Sequence, residues 1–228
     1  MSKRHHRLDR RSFLQLGAAA GALSALPPAF GSAGGAFAAE ADATVKHTLV
    51  ARPARVAVAG APYPDTLAWT YDGRLPGPTL RVRQGSRFQV ELVNELAEDT
   101  TVHWHGIRLP IEMDGVPYLS QPPVPPGGRF LYDFVVPDAG TFWYHSHVNS
   151  GEQIGRGLSG ALVVEEREPV AVDRDEVWVL SDMRLTRDAV IDDFGRFRDA
   201  AHGGRIGNTV TVNGRMRDTF RVRAGERL

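Results

Sequence analysis

The chain has 228 residues, 27 basic and 27 acidic side chains, eight histidines and no cysteine. Its length allows one large domain or two small ones at about 100–200 residues per domain, and its 42% of hydrophobic and 24% of charged residues are typical of a folded protein. The lack of cysteine excludes a disulfide framework, a thiol nucleophile, an iron–sulfur cluster and the cysteine ligand of a blue copper ion.

The first 38 residues have the three parts of an export signal. A basic stretch ends in the twin arginines Arg10 and Arg11, an apolar run covers 16–31, and Ala36-Phe37-Ala38 has the small residues of a cleavage site. The arginine pair resembles a twin-arginine (Tat) signal, which is an address read by a receptor. We expect 1–38 to engage the Tat export machinery and to direct the protein to the periplasm or outside the cell, with no stable membrane anchor. An uncleaved N-terminal anchor is the alternative interpretation.

Charge is divided unevenly between this leader and the rest of the chain. Residues 1–38 have a net charge of +4, and the 190 residues that follow have a net charge of −4. A protein that binds nucleic acid normally presents a basic face. The mildly acidic body therefore argues against nucleic acid as a partner.

From residue 45 onward the sequence has the pattern of β-strands. Between Leu80 and Leu92 apolar residues alternate with polar and charged ones, and Gln84-Gly85-Ser86 interrupts the alternation. This period of two predicts a half-buried hairpin with its turn at 84–86. Proline and glycine turns separate further strand candidates at 102–108, 129–136, 141–147, 160–165, 176–181 and 209–213. The density of strands predicts an all-β sandwich or barrel.

A weak internal repeat indicates how the chain is organised. The sequence "YDGRLPGPTLRVRQGSRF" at 71–88 is echoed by "VNGRMRDTFRVRAGERL" at 212–228, and both combine a Gly-Arg turn with Arg-Val-Arg-x-Gly-x-Arg. Duplication of a structural unit explains both parts, and chance similarity between two amphipathic strands is the alternative. Segment 172–228 has 57 residues, against roughly 100 for a complete sandwich domain. We therefore expect the chain to end inside a second domain.

Two His-x-His pairs are the strongest chemical signal. His103 and His105 lie in "TVHWHG", and His145 and His147 lie in "FWYHSHVNSGEQ". On a strand, side chains two apart share a face and lie about 6.6 Å apart along the chain, which suits two neighbouring metal ions. Imidazole ligands suit copper, zinc, iron or nickel. Histidines that serve only the packing of two strands are the alternative.

Two further histidines stand apart from these pairs. His47 and His202 have no histidine close to them in the sequence. Because nothing in the pattern links them to a metal site, we expect both to be exposed. His5 and His6 belong to the leader and would leave with it.

The residues around the two pairs resemble a known family. The sequences "HWHGIRLPIEMDGVPYLSQPPVPPGGRFLYDF", "DAGTFWYHSH" and "RGLSGALVVEE" occur in order and are similar to the N-terminal domain of multicopper oxidases, which include laccases and copper-resistance oxidases. The resemblance is strong over 65–166 and fainter over 172–228. It implies an all-β fold, with a Greek-key cupredoxin (plastocyanin-like) sandwich over 45–167 and the incomplete start of a second cupredoxin domain at 172–228.

The resemblance also implies roles for the histidines and for one aspartate. In this family a trinuclear copper cluster between the first and last domains reduces O₂ to water. By position, His103 would bind the type 2 copper, His105 and His145 one type 3 copper, and His147 the other. Asp114, in "MDG", matches an acidic residue that assists proton delivery, and a turn aspartate before a glycine is its alternative interpretation.

The departures from the family pattern limit what this chain is expected to do alone. No cysteine is available for a type 1 copper, and only half of the cluster ligands are present. We therefore expect the N-terminal part of an O₂-dependent copper oxidoreductase, whose substrate is a phenol or a metal ion and whose missing partner is a C-terminal cupredoxin domain. By itself the chain is expected to be inactive. Two alternatives remain, a non-enzymatic envelope protein with a cupredoxin fold and a small copper carrier.

Overall fold

A computed structural model describes residues 43–201, 204–216 and 219–228. The predicted leader 1–38 and His202 lie outside the described residues. Within the described ranges, no helix is both long enough and apolar enough to cross a membrane.

Strands dominate the described part of the chain. In chain order they are β1 (Thr44–Val56), β2 (Thr66–Tyr71), β3 (Leu80–Arg83), β4 (Arg87–Asn94), β5 (His103–His105), β6 (Arg129–Val135), β7 (Gly140–His145), β8 (Ser159–Glu165), β9 (Leu180–Met183) and β10 (Thr209–Val212). Short helices are α1 (Ser150–Arg156) and α2 (Phe197–Ala201), and Ile111–Met113 form a 3₁₀ turn.

Eight of these strands form the two sheets of a sandwich. The first sheet has the order β2-β1-β4-β6, and β1 runs parallel to β4 and antiparallel to β2. The second sheet has the order β3-β8-β7-β5, in which only β3 and β8 are parallel neighbours. Neighbours in each sheet are often distant in sequence, as in a Greek-key connection. The predicted all-β cupredoxin sandwich is therefore confirmed for this part of the chain.

The predicted hairpin between Leu80 and Leu92 is wrong. The alternation itself is right, because the apolar residues of β3 and β4 are buried. However, β3 pairs with β8 in the second sheet and β4 pairs with β1 and β6 in the first. The turn at 84–86 thus crosses from one sheet to the other. Both strands direct their apolar faces into the same core from opposite sides.

The core lies between the two sheets, and Trp104 lies in its centre. Its indole ring is 5.5–5.8 Å from the rings of Phe88, Tyr132, Phe134 and Tyr144. Successive side chains of a strand point to opposite faces. Burial of Trp104 therefore directs the histidines on either side of it away from the core.

The two halves of the sequence repeat contain the same turn. Asp72 and Asn213 have positive φ angles of 59° and 50°, and the glycines that follow them have φ angles of 75° and 76°. The main-chain N–H of Asp72 donates to Val50 O at 2.9 Å, and its side chain accepts from Val50 N at 2.8 Å. Asn213 makes both bonds with Val179, each at 2.9 Å. The repeat thus extends from sequence to hydrogen bonding.

Beyond Glu165 the described chain contains little regular structure. β9 and β10 form a two-stranded ladder, and Met183 and Leu185 pack against Val58 in a small second core. β9 covers only the end of the strand predicted at 176–181, while β10 lies within the predicted 209–213.

Candidate metal centre

Pairing of β5 with β7 brings the first histidine pair against the second. His103 lies directly opposite His145, and His105 lies opposite Trp143. His147 follows two residues after the end of β7. The His103 ring centroid is 5.6, 5.3 and 5.2 Å from those of His105, His145 and His147, respectively. The four predicted residues therefore form one cluster.

In His103 and His145, a hydrogen bond to a main-chain oxygen determines which ring nitrogen is available to bind a metal ion. His103 Nδ1 donates to Asp114 O at 2.7 Å, and His145 Nδ1 donates to Ser146 O at 2.9 Å. Because one nitrogen of a neutral imidazole carries the proton, the Nε2 of each keeps its lone pair. Such an outer hydrogen bond is typical of histidines that bind metal, where it fixes the tautomer and the ring orientation.

His105 and His145 converge on one point. His105 Nδ1 lies 3.3 Å from His145 Nε2. Two bare lone pairs at this distance would repel each other, so a proton or a metal ion belongs between them. This separation is short enough for both nitrogens to bind one metal ion at the bond length of about 2.0–2.1 Å that imidazole makes to zinc. A single ion can therefore be held by both rings.

A third nitrogen lies within reach of the same place. One ligand atom from each of His103, His105 and His145 lies within 4.8 Å of the others. All donors are imidazole nitrogens, which suit copper, zinc, iron or nickel. The residues present therefore fit a transition-metal ion.

Burial keeps one of these rings neutral. The pKa of His145 is lowered from 6.5 to about 4, chiefly because burial disfavours the charged form. The nearby rings of His103, His105 and His147 lower it further, while the hydrogen bond to Ser146 opposes them. At neutral pH the Nε2 of His145 is thus an unprotonated donor.

Asp114 contacts the centre in two ways. Its carbonyl oxygen accepts the His103 hydrogen bond, and its carboxylate Oδ1 lies 3.4 Å from His103 Nδ1. Asp114 also ends the 3₁₀ turn, where its N–H donates to Ile111 O. The sequence-based expectation that Asp114 lies near the histidines agrees with this position, although it did not anticipate the main-chain contact.

Gly115 holds Asp114 in place through a close approach of two main chains. Its φ is +74°, and a Cβ there would come within 1.8 Å of Val102 O. A side chain cannot occupy this space without moving the segment that enters β5. The glycine of the "MDG" motif is therefore required by the fold.

Two tryptophans support the cluster from different sides. Trp104 is buried in the core, whereas Trp143 is partly exposed and packs in a tilted orientation against His145 and His105, at 4.0 Å and 5.0 Å between ring centroids. Trp143 thus restricts the rotation of both rings.

Sequence reasoning missed a polar cluster beside the histidine pairs and the position of His47. Thr100, Ser146 and Gln153 form a buried polar cluster next to the two histidine pairs. Only Ser146, between two histidines, had a position that could have indicated it. His47, expected to be exposed, is half-buried because it lies on the same face of β1 as the buried Leu49, and its ring lies edge-on to Phe88 at 5.6 Å.

The fold defines a cupredoxin domain and its histidines form a candidate metal centre, and comparisons with known proteins agree with this class of protein. Residues 55–169 match the multicopper oxidase family. Copper resistance protein A of Escherichia coli is 47% identical over 117 residues, which are 50% of this chain and 19% of that protein. Multicopper oxidase MmcO of Mycobacterium tuberculosis is 39% identical over 189 residues, 77% of this chain and 36% of that protein.

A solved structure supports the same assignment. The crystal structure of a multi-copper oxidase from Pseudomonas thermotolerans has a TM-score of 0.72 and 46% identity, over 75% of this chain and 42% of that chain. The chain therefore belongs to the multicopper oxidase family. It spans about a fifth to two fifths of the length of the curated relatives described above.

Proposed function

We propose that this chain is the N-terminal part of a multicopper oxidase and contributes four ligands to a trinuclear copper cluster. His103 would bind the type 2 copper, His105 and His145 one type 3 copper, and His147 the other. The 3.3 Å separation between His105 Nδ1 and His145 Nε2 carries this proposal, because it is the spacing of two ligands on one ion.

Positions of the other two rings support the division of roles. The outer hydrogen bond of His103 leaves its Nε2 free to bind an ion, and the resemblance to the family gives that ion as the type 2 copper. Among the described residues, His147 is not one of the three histidines whose ligand nitrogens all lie within 4.8 Å of one another, and its ring centroid lies 6.3 Å from that of His145 and 5.2 Å from that of His103. Four rings arranged in this way favour more than one ion.

In the complete oxidase, bound copper would couple one-electron oxidation of a phenol or a metal ion to reduction of O₂ to water. The part of this chain is to bind and to orient: its imidazoles donate lone pairs, and Trp143 and the outer hydrogen bonds hold the rings still. The Asp114 side chain is 31% exposed and borders the His103 ring. It can therefore carry protons between solvent and the cluster.

The remaining parts of the proposal concern organisation and location. The shared geometry of the Asp72 and Asn213 turns supports 172–228 as the start of a second cupredoxin domain. The residue pattern of 1–38 supports export by the Tat machinery to the periplasm or the cell exterior. Because the chain has no cysteine, the type 1 copper and the other cluster ligands would come from a C-terminal cupredoxin domain.

Copper titration of the purified chain, followed by electron paramagnetic resonance, tests the ligand assignment. We expect Cu(II) bound through imidazole nitrogen, with affinity at least about tenfold lower in His105→Ala and in His145→Ala. The matched control is His47→Ala, which removes a histidine outside the cluster. Equal affinities in all three variants, or no binding by the unmodified chain, would contradict the proposal.

A second measurement separates the oxidase fragment from a copper carrier. The carrier alternative is favoured by the three nitrogens that converge within one chain. We expect the chain alone to consume no O₂ with a phenol and to lose its copper to a competing chelator. Retention of stoichiometric copper against the chelator would favour the carrier, and O₂ consumption would contradict the expected inactivity.

A further inference from the structure

The polar cluster behind the histidines converges on a single oxygen atom. Thr100, Ser146 and Gln153 are fully buried. The Thr100 hydroxyl donates to Gln153 Oε1 at 2.8 Å, and the Ser146 hydroxyl donates to the same oxygen. Gln153 Nε2 donates to Asp99 O at 2.8 Å. The Gln153 amide therefore forms hydrogen bonds through both its nitrogen and its oxygen, to Asp99, 54 positions away in sequence, and to Ser146, 7 positions away.

These bonds join the segments that carry the two histidine pairs. Ser146 separates the histidines of the second pair, and Thr100 lies three residues before His103. A second link runs beside the first, because the main-chain N–H of His147 donates to Thr101 Oγ1 at 3.4 Å. Each link connects the approach to β5 with the segment that leaves β7.

Helix α1, which contains Gln153, is also held by contacts other than the side-chain hydrogen bonds of this cluster. Leu158 N donates to Gln153 O at 3.0 Å, and Ser146 N donates to Leu158 O at 3.2 Å. At the end of the helix, the guanidinium of Arg156 lies 4.8 Å from the centre of the Trp69 ring. The amide of Gln153 is thus presented from a fixed backbone.

The hydrogen bonds to Gln153 Oε1 restrict the distance between the segment that contains Thr100 and the segment that contains Ser146. A hydroxyl has one hydrogen to donate and an amide oxygen has two lone pairs. The Thr100 and Ser146 hydroxyls together fill the acceptor capacity of Gln153 Oε1. Because both bonds end on one atom, the two segments cannot separate without breaking a buried hydrogen bond.

We propose that Gln153 is a positioning residue that fixes the distance between the His103–His105 pair and the His145–His147 pair. The proposal deepens, and rests on, the proposed role of these histidines as copper ligands. The side-chain hydrogen bonds of Gln153 within the described part of the chain go to Thr100, Ser146 and Asp99 rather than to an imidazole ring. It acts through Ser146 on the second pair and through Thr100 on the approach to the first.

The test is a comparison of histidine ring resonances in the full chain without added metal. Gln153→Met preserves side-chain length and removes both hydrogen-bonding ends. Gln84→Met is the matched control, because Gln84 also bonds to a main-chain oxygen, that of Pro137, but follows β3, whose strand partner in the sheet is β8. Ser146→Ala removes one hydroxyl with little change in volume. Two-bond ¹H–¹⁵N correlation spectra at a fixed neutral pH report the tautomer and the surroundings of each ring.

We expect Gln153→Met to shift the ring resonances of His145 and His147 and to leave those of His47 unchanged. Ser146→Ala should shift the same two rings by less, and Gln84→Met should shift neither. Wild-type ring resonances in Gln153→Met, or equal shifts in Gln84→Met, would overturn the proposal. If Gln153→Met does not fold, the same criterion applied to Ser146→Ala decides.

Titration with Cu(II) alone provides the second measurement. Loss of outer partners of metal ligands typically lowers affinity by about 10- to 100-fold, and we expect about tenfold for Gln153→Met against no change for Gln84→Met. Equal affinities in the two variants would count against the positioning role. A wild-type chain that binds no Cu(II) would refute the proposed function, while the ring resonances would still decide the role of Gln153.

Discussion

The two copies of the arginine-rich repeat have the same turn and different strands. In the first copy, Leu80 and Val82 are each 2% exposed and belong to β3, which pairs with β8. In the second copy, Phe220 is 36% and Val222 59% exposed, and the described residues 219–223 are in no strand.

This difference separates what a single partner residue supplies from what a whole partner strand supplies. The turn forms in both copies because its bonds need only an Asx side chain, a glycine and one residue of an adjacent segment, Val50 or Val179. A strand needs a partner to receive its main-chain hydrogen bonds. Leu80 has Leu162 opposite it in β8, whereas among the described residues none forms such a ladder with 220–223. The alternating pattern therefore specifies which side chains lie on one face of a segment, whereas a neighbouring strand is needed for that segment to form a strand.

Paired tryptophan substitutions give the largest expected difference between the sandwich and the segment after it. Trp104→Ala removes a fully buried ring and should lower the free energy of unfolding by about 3–5 kcal/mol. Trp178 is 51% exposed and packs in a tilted orientation against Phe220, at 4.6 Å between ring centroids, so Trp178→Ala should cost less than about 1.5 kcal/mol. Urea unfolding monitored by circular dichroism measures both. Similar losses would mean that the second segment is as tightly packed as the first.

Acid should weaken the sandwich through His145. Because its pKa is lowered to about 4 in the fold, against about 6.5 in the unfolded chain, the unfolded chain binds more protons between these values. The contribution of neutral His145 is therefore complete above pH 6.5 and is lost as the pH falls toward 4, to a total on the order of 3 kcal/mol.

Stability measured from pH 8 to pH 4 in the unmodified chain and in His145→Gln tests this dependence. The variant should show a shallower decline over that range. Parallel curves would mean that His145 does not titrate as its burial implies.

Paired glycine substitutions in the two copies of the turn should give the smallest difference. Gly73 and Gly214 have nearly the same φ, so alanine should cost each about 1–2 kcal/mol in backbone strain. A Cβ on Gly73 meets the flexible side chain of Arg52, whereas one on Gly214 meets the main-chain oxygen of Leu75 at 2.0 Å. Gly214→Ala should therefore cost about 1 kcal/mol more. Thermal unfolding of both variants provides the comparison, and a larger loss in Gly73→Ala would contradict the close contact.

Residue patterns predicted correctly which face of each strand is buried, because burial alternates with a period of two. The same period predicted that the two histidines of a pair lie on one face of a strand. Residue patterns did not predict that β3 and β4 belong to different sheets, since alternation has the same form in a hairpin and in a crossover. Gln153 was missed for a related reason. Its bond to Asp99 spans 54 positions, and nothing periodic connects the two residues. The contact between Asp114 O and His103 was equally hidden, because a carbonyl oxygen has no signature in the sequence.

Strand β5 has consequences for attempts to redesign this protein. Its three residues place a histidine, the buried Trp104 and a second histidine in succession. A change in the packing around the indole would displace both imidazoles together, with their mutual spacing preserved and their spacing to β7 altered. An engineer who wishes to adjust the centre without losing the scaffold should therefore alter the loops that flank β5 and leave its middle residue unchanged.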